Sequence, residues 1–256
     1  MENALLIGLS RQMSLQRELA TVANNIANIN TNGYKADGAI FEEYLMPVAR
    51  ATTFMRGDDR LSFVQDRATW HDLSSGPLRQ TGNELDVAID GDAFLAVQTP
   101  RGERYTRNGA LQINAQGQLV TSAGELVLGD GGPIQFQPTD RAITISATGS
   151  ISVREGANAD ADSVRGRLRL VSFAQAARLQ KDGSSLFAAP ADMAPAPAPA
   201  EIRVIQGAIE QSNVRGVVEM SRMIELNRAY TSVTSILQQQ GDLRRTAIER
   251  LAEMPA

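Results

Sequence analysis

The sequence predicts an α+β chain. A mainly-β middle domain, an irregular sandwich or barrel, is flanked by N- and C-terminal α-helices that pair in a coiled-coil-like layer. Three observations predict it. Near the start, Leu15, Leu19, Val22, Ile26 and Ile29 step by four, three, four and three. That is a heptad seam, which packs lengthwise on other helices. Near the end, residues 212–253 contain no proline, and Met223, Leu226, Tyr230, Val233 and Leu237 step by three and four again. Between them, from residue 81 to about 189, short alternating runs are separated by glycine-rich turns, the texture of sheets rather than helices.

The elements follow in order. Ala20, Ala23 and Ala27 lie beside the first seam and permit close approach. Asn32-Gly33 supplies a left-handed cap that ends the first helix. Residues 41–46 read as a last helical turn cut by Pro47, and residues 61–66 and 69–73 as short strands in a hairpin around Arg67. This segment, residues 36–80, is expected to be a connector. Residues 81–211 read as a β-rich outer domain, with a mobile polar loop at 156–163 and a stiff alanine-proline connector at 193–200. Residues 202–207 should return as one strand, with residues 208–210 pairing back on it. Ser212 or Asn213 is the expected N-cap of the last helix. The apolar phase drifts to Ile236, Leu243, Ala247 and Leu251, which places a kink near Gly241. Residues 1–35 and 212–256 thus form one discontinuous helical assembly domain. A single narrow seam is a weak basis for a long isolated helix. The ends are therefore expected to order fully only when other subunits supply helix surface.

Composition narrows the function. The 256 residues carry a net charge of −4, with no basic field for nucleic acid. There is no cysteine, which excludes disulfides, thiolate metal sites and cysteine catalysis. Arg11, Gln12, Gln16, Arg17 and Glu18 interrupt the N-terminal helix, so it has neither a membrane-spanning run nor a signal-peptide layout. No membrane insertion is expected.

Nor does any cluster read as a catalytic, cofactor or metal site. His71 is the only histidine and has no second imidazole with which to build a zinc site. Asp86, Asp90 and Asp92 could be imagined as the paired acids of a glycan hydrolase, but a strand followed by an Asp-Gly-Asp turn explains them more simply. Residues 160–163 lack the ligand spacing of a calcium loop, and residues 129–132 lack the Lys-Ser/Thr of a phosphate loop. The unusual residues are instead Asn24, Asn25, Asn28, Asn30 and Asn32. Buried amides must find partners. Asn25 and Asn28 are read as setting register between packed subunits, with the two seams as the assembly interface.

At these residues the chain resembles a known family. Residues 23–35, ANNIANINTNGYK, are similar to the N-terminal signature of flagellar axial proteins, the rod and hook components. Residues 207–214, GAIEQSNV, and 218–224, VEMSRMI, resemble the C-terminal counterpart. Residues 85–94, 105–111 (YTRNGAL) and 117–121 (GQLVT) match in the middle. The compact middle and residues 179–185, LQKDGSS, favour a rod protein over the larger hook protein. One departure is Thr231 after Arg228-Ala229-Tyr230, where the family often has an acidic residue.

The resemblance implies a structural, non-enzymatic subunit of the proximal rod. Such a subunit is exported without a cleaved signal by the flagellum's type III apparatus and assembles in the periplasm with copies of itself and neighbouring rod proteins. Its terminal helices form the inner tube of the drive shaft used for motility, and its β domain lies outside. A distal rod or hook-family subunit is the near alternative. A periplasmic glycan-acting enzyme or binding module with a helical stalk is the alternative of another class.

Overall fold

Helix α1 (Glu2–Ala27) opens the chain. The computed structural model describes residues 2–46, 61–155, 162–183 and 185–252. It divides into two units, one of Met1–Ala27, Asp37–His71 and Arg215–Ala256, the other of Asn28–Ala36 and Asp72–Val214. The segment 36–80 is therefore shared between them.

In the first unit, α1 accompanies a long hairpin, β1 (Asp37–Met46) with β2 (Leu61–His71), and helix α2 (Gly216–Ala252). Residues 41–46 are strand, not a helical turn. An antiparallel partner from Met46↔Leu61 to Asp37↔His71 supplies the ladder, and Ile40, Phe41 and Tyr44 favour a pleated strand. Pro47 lies outside the described residues. Residues 61–71 are one strand rather than two. Ile40 pairs with Ala68 and Phe41 with Asp66, so Arg67 is the extra residue of a bulge and not the tip of a turn. Helix α1 stops at Ala27, before Asn32-Gly33. Helix α2 begins at Gly216, beyond Ser212 and Asn213, and runs as one element through Gly241.

The second unit is built on antiparallel strands. β3 (Leu78–Gln80), β4 (Val87–Asp90), β5 (Phe94–Thr99), β6 (Gly102–Thr106), β7 (Leu111–Ile113), β8 (Leu119–Thr121) and β9 (Leu126–Gly129) come first in the chain. The main sheet runs Gln180–Lys181, Leu186–Ala188, β6, β5, β9, β8, β7. Asp140–Ile145, Ser150–Glu155 and Asp162–Arg167 form a separate three-stranded sheet. Alternation along β5 shows why both of its faces are apolar. Leu95 and Val97 enter a cluster with Leu119, Ile151 and Val204, while Phe94 and Ala96 enter another with Tyr105, Phe173 and Phe187. The rings of the second cluster meet edge to face, the arrangement that aromatic quadrupoles favour.

Two expectations change here. The alanine-proline stretch is not a free connector, because Ala196–Pro197 pairs with Leu170–Ser172. Arg203–Gln206 pairs with β4, but Ala208–Glu210 turns away at Gly207 (φ 75°) and pairs with β3 instead of folding back. Of the loop at 156–163, residues 156–161 lie outside the described residues.

Candidate assembly interface

The two seams meet each other within one chain. Leu15, Val22 and Leu226 are buried together, with Leu19, Ile26, Ala229, Tyr230 and Val233 packed around them. Polar pairs flank this line and show that the helices run antiparallel. Gln12 Nε2 donates to Tyr230 Oη and Thr234 Oγ1, both at 3.2 Å. Glu18 accepts from Arg222 at 2.7 Å, and Asn25 Nδ2 approaches Glu219 at 3.5 Å. Leu237 lies against Gly8, where an added methyl would come within 2.6 Å of it.

Asn25 is 1% exposed. Its Nδ2 donates to the Asp37 carbonyl at 2.8 Å, and its Oδ1 accepts the Asp37 N–H at 2.9 Å. The amide therefore copies a backbone ladder pair and ties the root of β1 to α1. His71 Nδ1 pairs with the Asp37 carboxylate at 2.7 Å on the same root.

A charged cluster lies in the interior of the second unit. Lys35 Nζ donates to Glu210 Oε1 at 2.6 Å and to the Ser74 carbonyl at 2.7 Å. Glu210 Oε1 also accepts the Gly76 N–H at 2.8 Å, and Arg107 Nε lies 3.3 Å from Glu210 Oε2. Arg107 Nη1 donates to the carbonyls of Gly91 and Ala93, at 2.6 and 2.8 Å, and Nη2 to Ser75 Oγ. All three charged side chains are at most 2% exposed. Two cations share one carboxylate, and carbonyl dipoles supply the remaining negative potential. Loss of hydration pushes the Lys35 pKa down from its usual range, opposed by the charge of Glu210.

Around this cluster the chain's distinctive stretches converge. Gly33 (φ 68°) donates its N–H to the Glu210 carbonyl at 2.8 Å, and a Cβ there would stand 2.4 Å from the Asn108 nitrogen. A Cβ on Gly109 would stand 1.7 Å from the Val87 carbonyl oxygen. Asn213 accepts the Ala36 N–H at 2.8 Å and donates to the Asp72 carbonyl at 2.8 Å, which is why it is unavailable as a helix cap. Ser212 Oγ accepts from Val214, short of the helix.

The same three stretches are where known families match. A family model described as flagella basal body rod protein covers residues 5–35. The flagellar hook protein FlgE/F/G D1 domain covers 88–153, and the flagellar basal body rod FlgEFG protein C-terminal covers 205–250. The flagellar basal-body rod protein FlgF of Caulobacter vibrioides is 39% identical, over 99% of this chain and 100% of its own length. FlgF of Mesorhizobium japonicum is 32% identical over 98% of each chain. FlgG of Agrobacterium fabrum is 35% identical over 91% of this chain and 94% of its own. The chain belongs to the flagellar basal-body rod protein family. As a member of that family it is a structural rod subunit, it is located at the flagellar basal body and it assembles with other rod proteins.

In this rod protein the residues read as interface divide into four groups. Leu15, Leu19, Val22, Ile26, Leu226, Tyr230, Val233 and Leu237 line the contact between its own two helices. Met223 does not join them and is 38% exposed. Asn28 and Ile29 lie past the end of α1, where Asn28 Oδ1 accepts from Thr31 Oγ1. The amide of Asn25 bonds to Asp37 within the chain.

Sequence reasoning missed a second apolar stripe on each helix. Leu6, Leu9 and Met13 are 51%, 49% and 50% exposed, and Val217, Met220 and Ile224 are 81%, 55% and 55% exposed. Both triads have the spacing i, i+3, i+7, and each begins nine residues before a buried leucine, Leu15 or Leu226. Nine residues at about 100° each is a half-turn, so both triads face away from the seam. Their i, i+3, i+7 spacing is the signal in the sequence that marks them.

Of the carboxylates of the glycan-enzyme alternative, Asp86 forms a bridge with Ala110, Asp90 ends β4 and Asp92 lies in the bend before β5. Asp86 accepts from Thr81 Oγ1 at 2.7 Å and from Asn83 Nδ2 at 3.1 Å. Among the described residues, no helix is long and apolar enough to cross a membrane.

Proposed function

We propose that this rod protein is a proximal-rod subunit that self-assembles through its terminal helices into the tubular drive shaft of the flagellum. The observation that carries this reading is the helix pair itself. It buries one seam and leaves an apolar triad exposed on the outer face of each helix. Further along α2, Ile236, Leu243 and Ile248 are exposed as well, and apolar side chains left in water on both helices are favourably placed only when covered. The antiparallel pair supports a coiled-coil-like layer, and the two apolar clusters of the strand-rich unit support an irregular sandwich. Ordering of the terminal helices is completed on assembly, as neighbours cover their outer faces. The subunit reaches the periplasmic rod without a cleaved signal, through the type III export apparatus, and transmits torque by lateral helix packing. Full-length alignment with the FlgF proteins supports the proximal position.

Electron microscopy of basal bodies tests the assignment, with the protein located by antibody in the parent and the gene deleted in a second strain. Label at the rod base, together with arrest before a complete rod, is the expected result. Label near the hook junction would place the subunit in the distal rod. Intact, working flagella in the deletion strain would remove an essential rod role.

A further inference from the structure

The strand-rich unit is made of two stretches of chain, residues 28–36 and 72–214, and its last segment, residues 203–213, touches its first. Among the described residues, Arg203–Gln206 is the only strand that pairs with β4, and Ala208–Glu210 the only one that pairs with β3. Between them the Gly207 N–H donates to the Asp86 carbonyl at 2.8 Å, and the Gly207 carbonyl accepts the Thr81 and Gly82 N–H groups at 2.7 and 3.0 Å. The Gln211 N–H donates to the Pro77 carbonyl at 2.9 Å, and a Cβ on Gly76 would stand 2.1 Å from the Gln211 carbonyl oxygen. Toward the start of the unit, the Glu210 carbonyl accepts the Gly33 N–H, and the Asn213 side chain accepts the Ala36 N–H.

We propose that residues 203–213 form a strap that closes the strand-rich unit, and that the strap opens in one piece with residues 28–36 and β3 while the main sheet stays folded. The cause of the joint opening is charge. Glu210 is carried on the strap, and Lys35 and Arg107 flank its seat. With the strap away, two cations that are at most 2% exposed lose their carboxylate, and uncompensated charges are not retained in an interior. Lys35 then turns to water and lifts residues 28–36 from the unit. Bonds that hold that segment without the strap, from Lys181 Nζ to the Lys35 carbonyl and from the Asp72 N–H to the Ala36 carbonyl, do not replace the missing charge. The main sheet has its own support. Among the described residues, the cluster around Phe94, Phe173 and Phe187 takes none from the strap or from residues 28–36, whereas Val204 of the strap enters the other cluster with Val87 and Ile89. The device orders folding by position in the chain. Synthesis runs from the N-terminus, so Lys35 and Arg107 precede their carboxylate and the unit stays open until the strap is free to seat. On the proposed export route an open unit is one that can still be threaded, and that consequence alone rests on the reading of the chain as an exported rod subunit.

Amide hydrogen exchange of the full-length chain in low urea tests the strap. The N–H groups of Gly33, Thr81, Gly207 and Gln211 all bond to it or from it, and they should exchange through one common opening. The Ala96 N–H, bonded to the Arg169 carbonyl at 3.1 Å in the main sheet, should exchange more slowly. A cross-link sharpens the comparison. Asp90 and Arg203 are exposed register partners on β4 and the strap. Partners about 5.5 Å apart between Cα atoms suit a disulfide, and no native cysteine competes for it. Oxidised Asp90→Cys/Arg203→Cys should slow exchange at Gly33 and Gln211 by at least about thirtyfold relative to its reduced form, the low end of what a disulfide contributes. Wild-type exchange at Gly33 and Gln211 no faster than at Ala96 would mean that the unit opens only as a whole, and would overturn the proposal. So would unequal rates at Gly33 and Gln211, or a cross-link that leaves Gly33 unchanged. None of these readouts depends on the rod assignment.

Discussion

The two units differ in how completely each buries its own apolar surface. The strand-rich unit closes two clusters, with Leu95, Ile151, Leu168 and Phe187 at most 1% exposed, and it holds a buried cluster of paired charges besides. The helical unit buries one line of side chains and leaves apolar residues such as Leu6, Val217 and Ile224 in water. One region closes most of its apolar surface within the chain, and the other leaves more of it in water. The contrast teaches that the fold separates the stability of the subunit from the adhesiveness of the subunit, so each can be altered alone.

The largest effect should break that separation most visibly. Leu226→Asp places a charge in the helix seam and should abolish incorporation into rods, read by motility and by basal-body preparation. The urea transition of the strand-rich unit should stay within about 0.5 kcal/mol of wild type, as expected for independent sites. A large loss there would mean that the two units are not energetically separate. Glu210→Gln is the converse. It leaves Lys35 and Arg107 without their carboxylate and should cost about 3–5 kcal/mol of folding stability, measured by urea unfolding. Asn25→Leu comes next. Unpairing the Asp37 N–H and carbonyl should cost about 1–3 kcal/mol, confined to the helical unit, giving exported protein that misassembles and a hairpin cut faster by protease.

The smallest effect is acid sensitivity in the strand-rich unit. The Arg165 guanidinium holds the Asp140 carboxyl below its usual value of 3.8, and Arg104 and Arg101 hold Asp182 below it likewise. A depressed folded-state pKa contributes stability that is complete above the unfolded value and is lost as pH falls through the folded value. Unfolding of this unit should therefore become easier below about pH 3.8, and Asp140→Asn should flatten the slope in a urea titration against pH.

What could be read in the sequence divides along the same line. The seam was legible because Leu15, Leu19, Val22 and Ile26 repeat on a period that only a packed helix uses. The strands of the middle were legible because turns such as Asn108-Gly109 punctuate them. The hairpin was not. Its partners Asp37 and His71 are far apart in the chain, and the bulge at Arg67 looks like a turn until the opposite strand is known. Nor was the cluster of Lys35, Arg107 and Glu210, since no local pattern announces that three distant charges share one interior. Asn213 carried a cap signal that its bonds to Ala36 and Asp72 overrode. Asn25 was recognised as a buried amide in need of a partner, but its partner is Asp37 of the same chain.

That last bond makes the hairpin a lever. Asn25 holds Asp37 at two points, and His71 is paired at the same root, so β1 and β2 are anchored to α1 at one end. From there β1 extends for ten residues, about 30 Å at ~3.3 Å per residue. Each degree of tilt at the root moves the far end by roughly half an ångström, by the geometry of an arm of that length. A small rotation of one helix in a packed layer thus becomes a large sweep at a distance, with a single asparagine as the fulcrum.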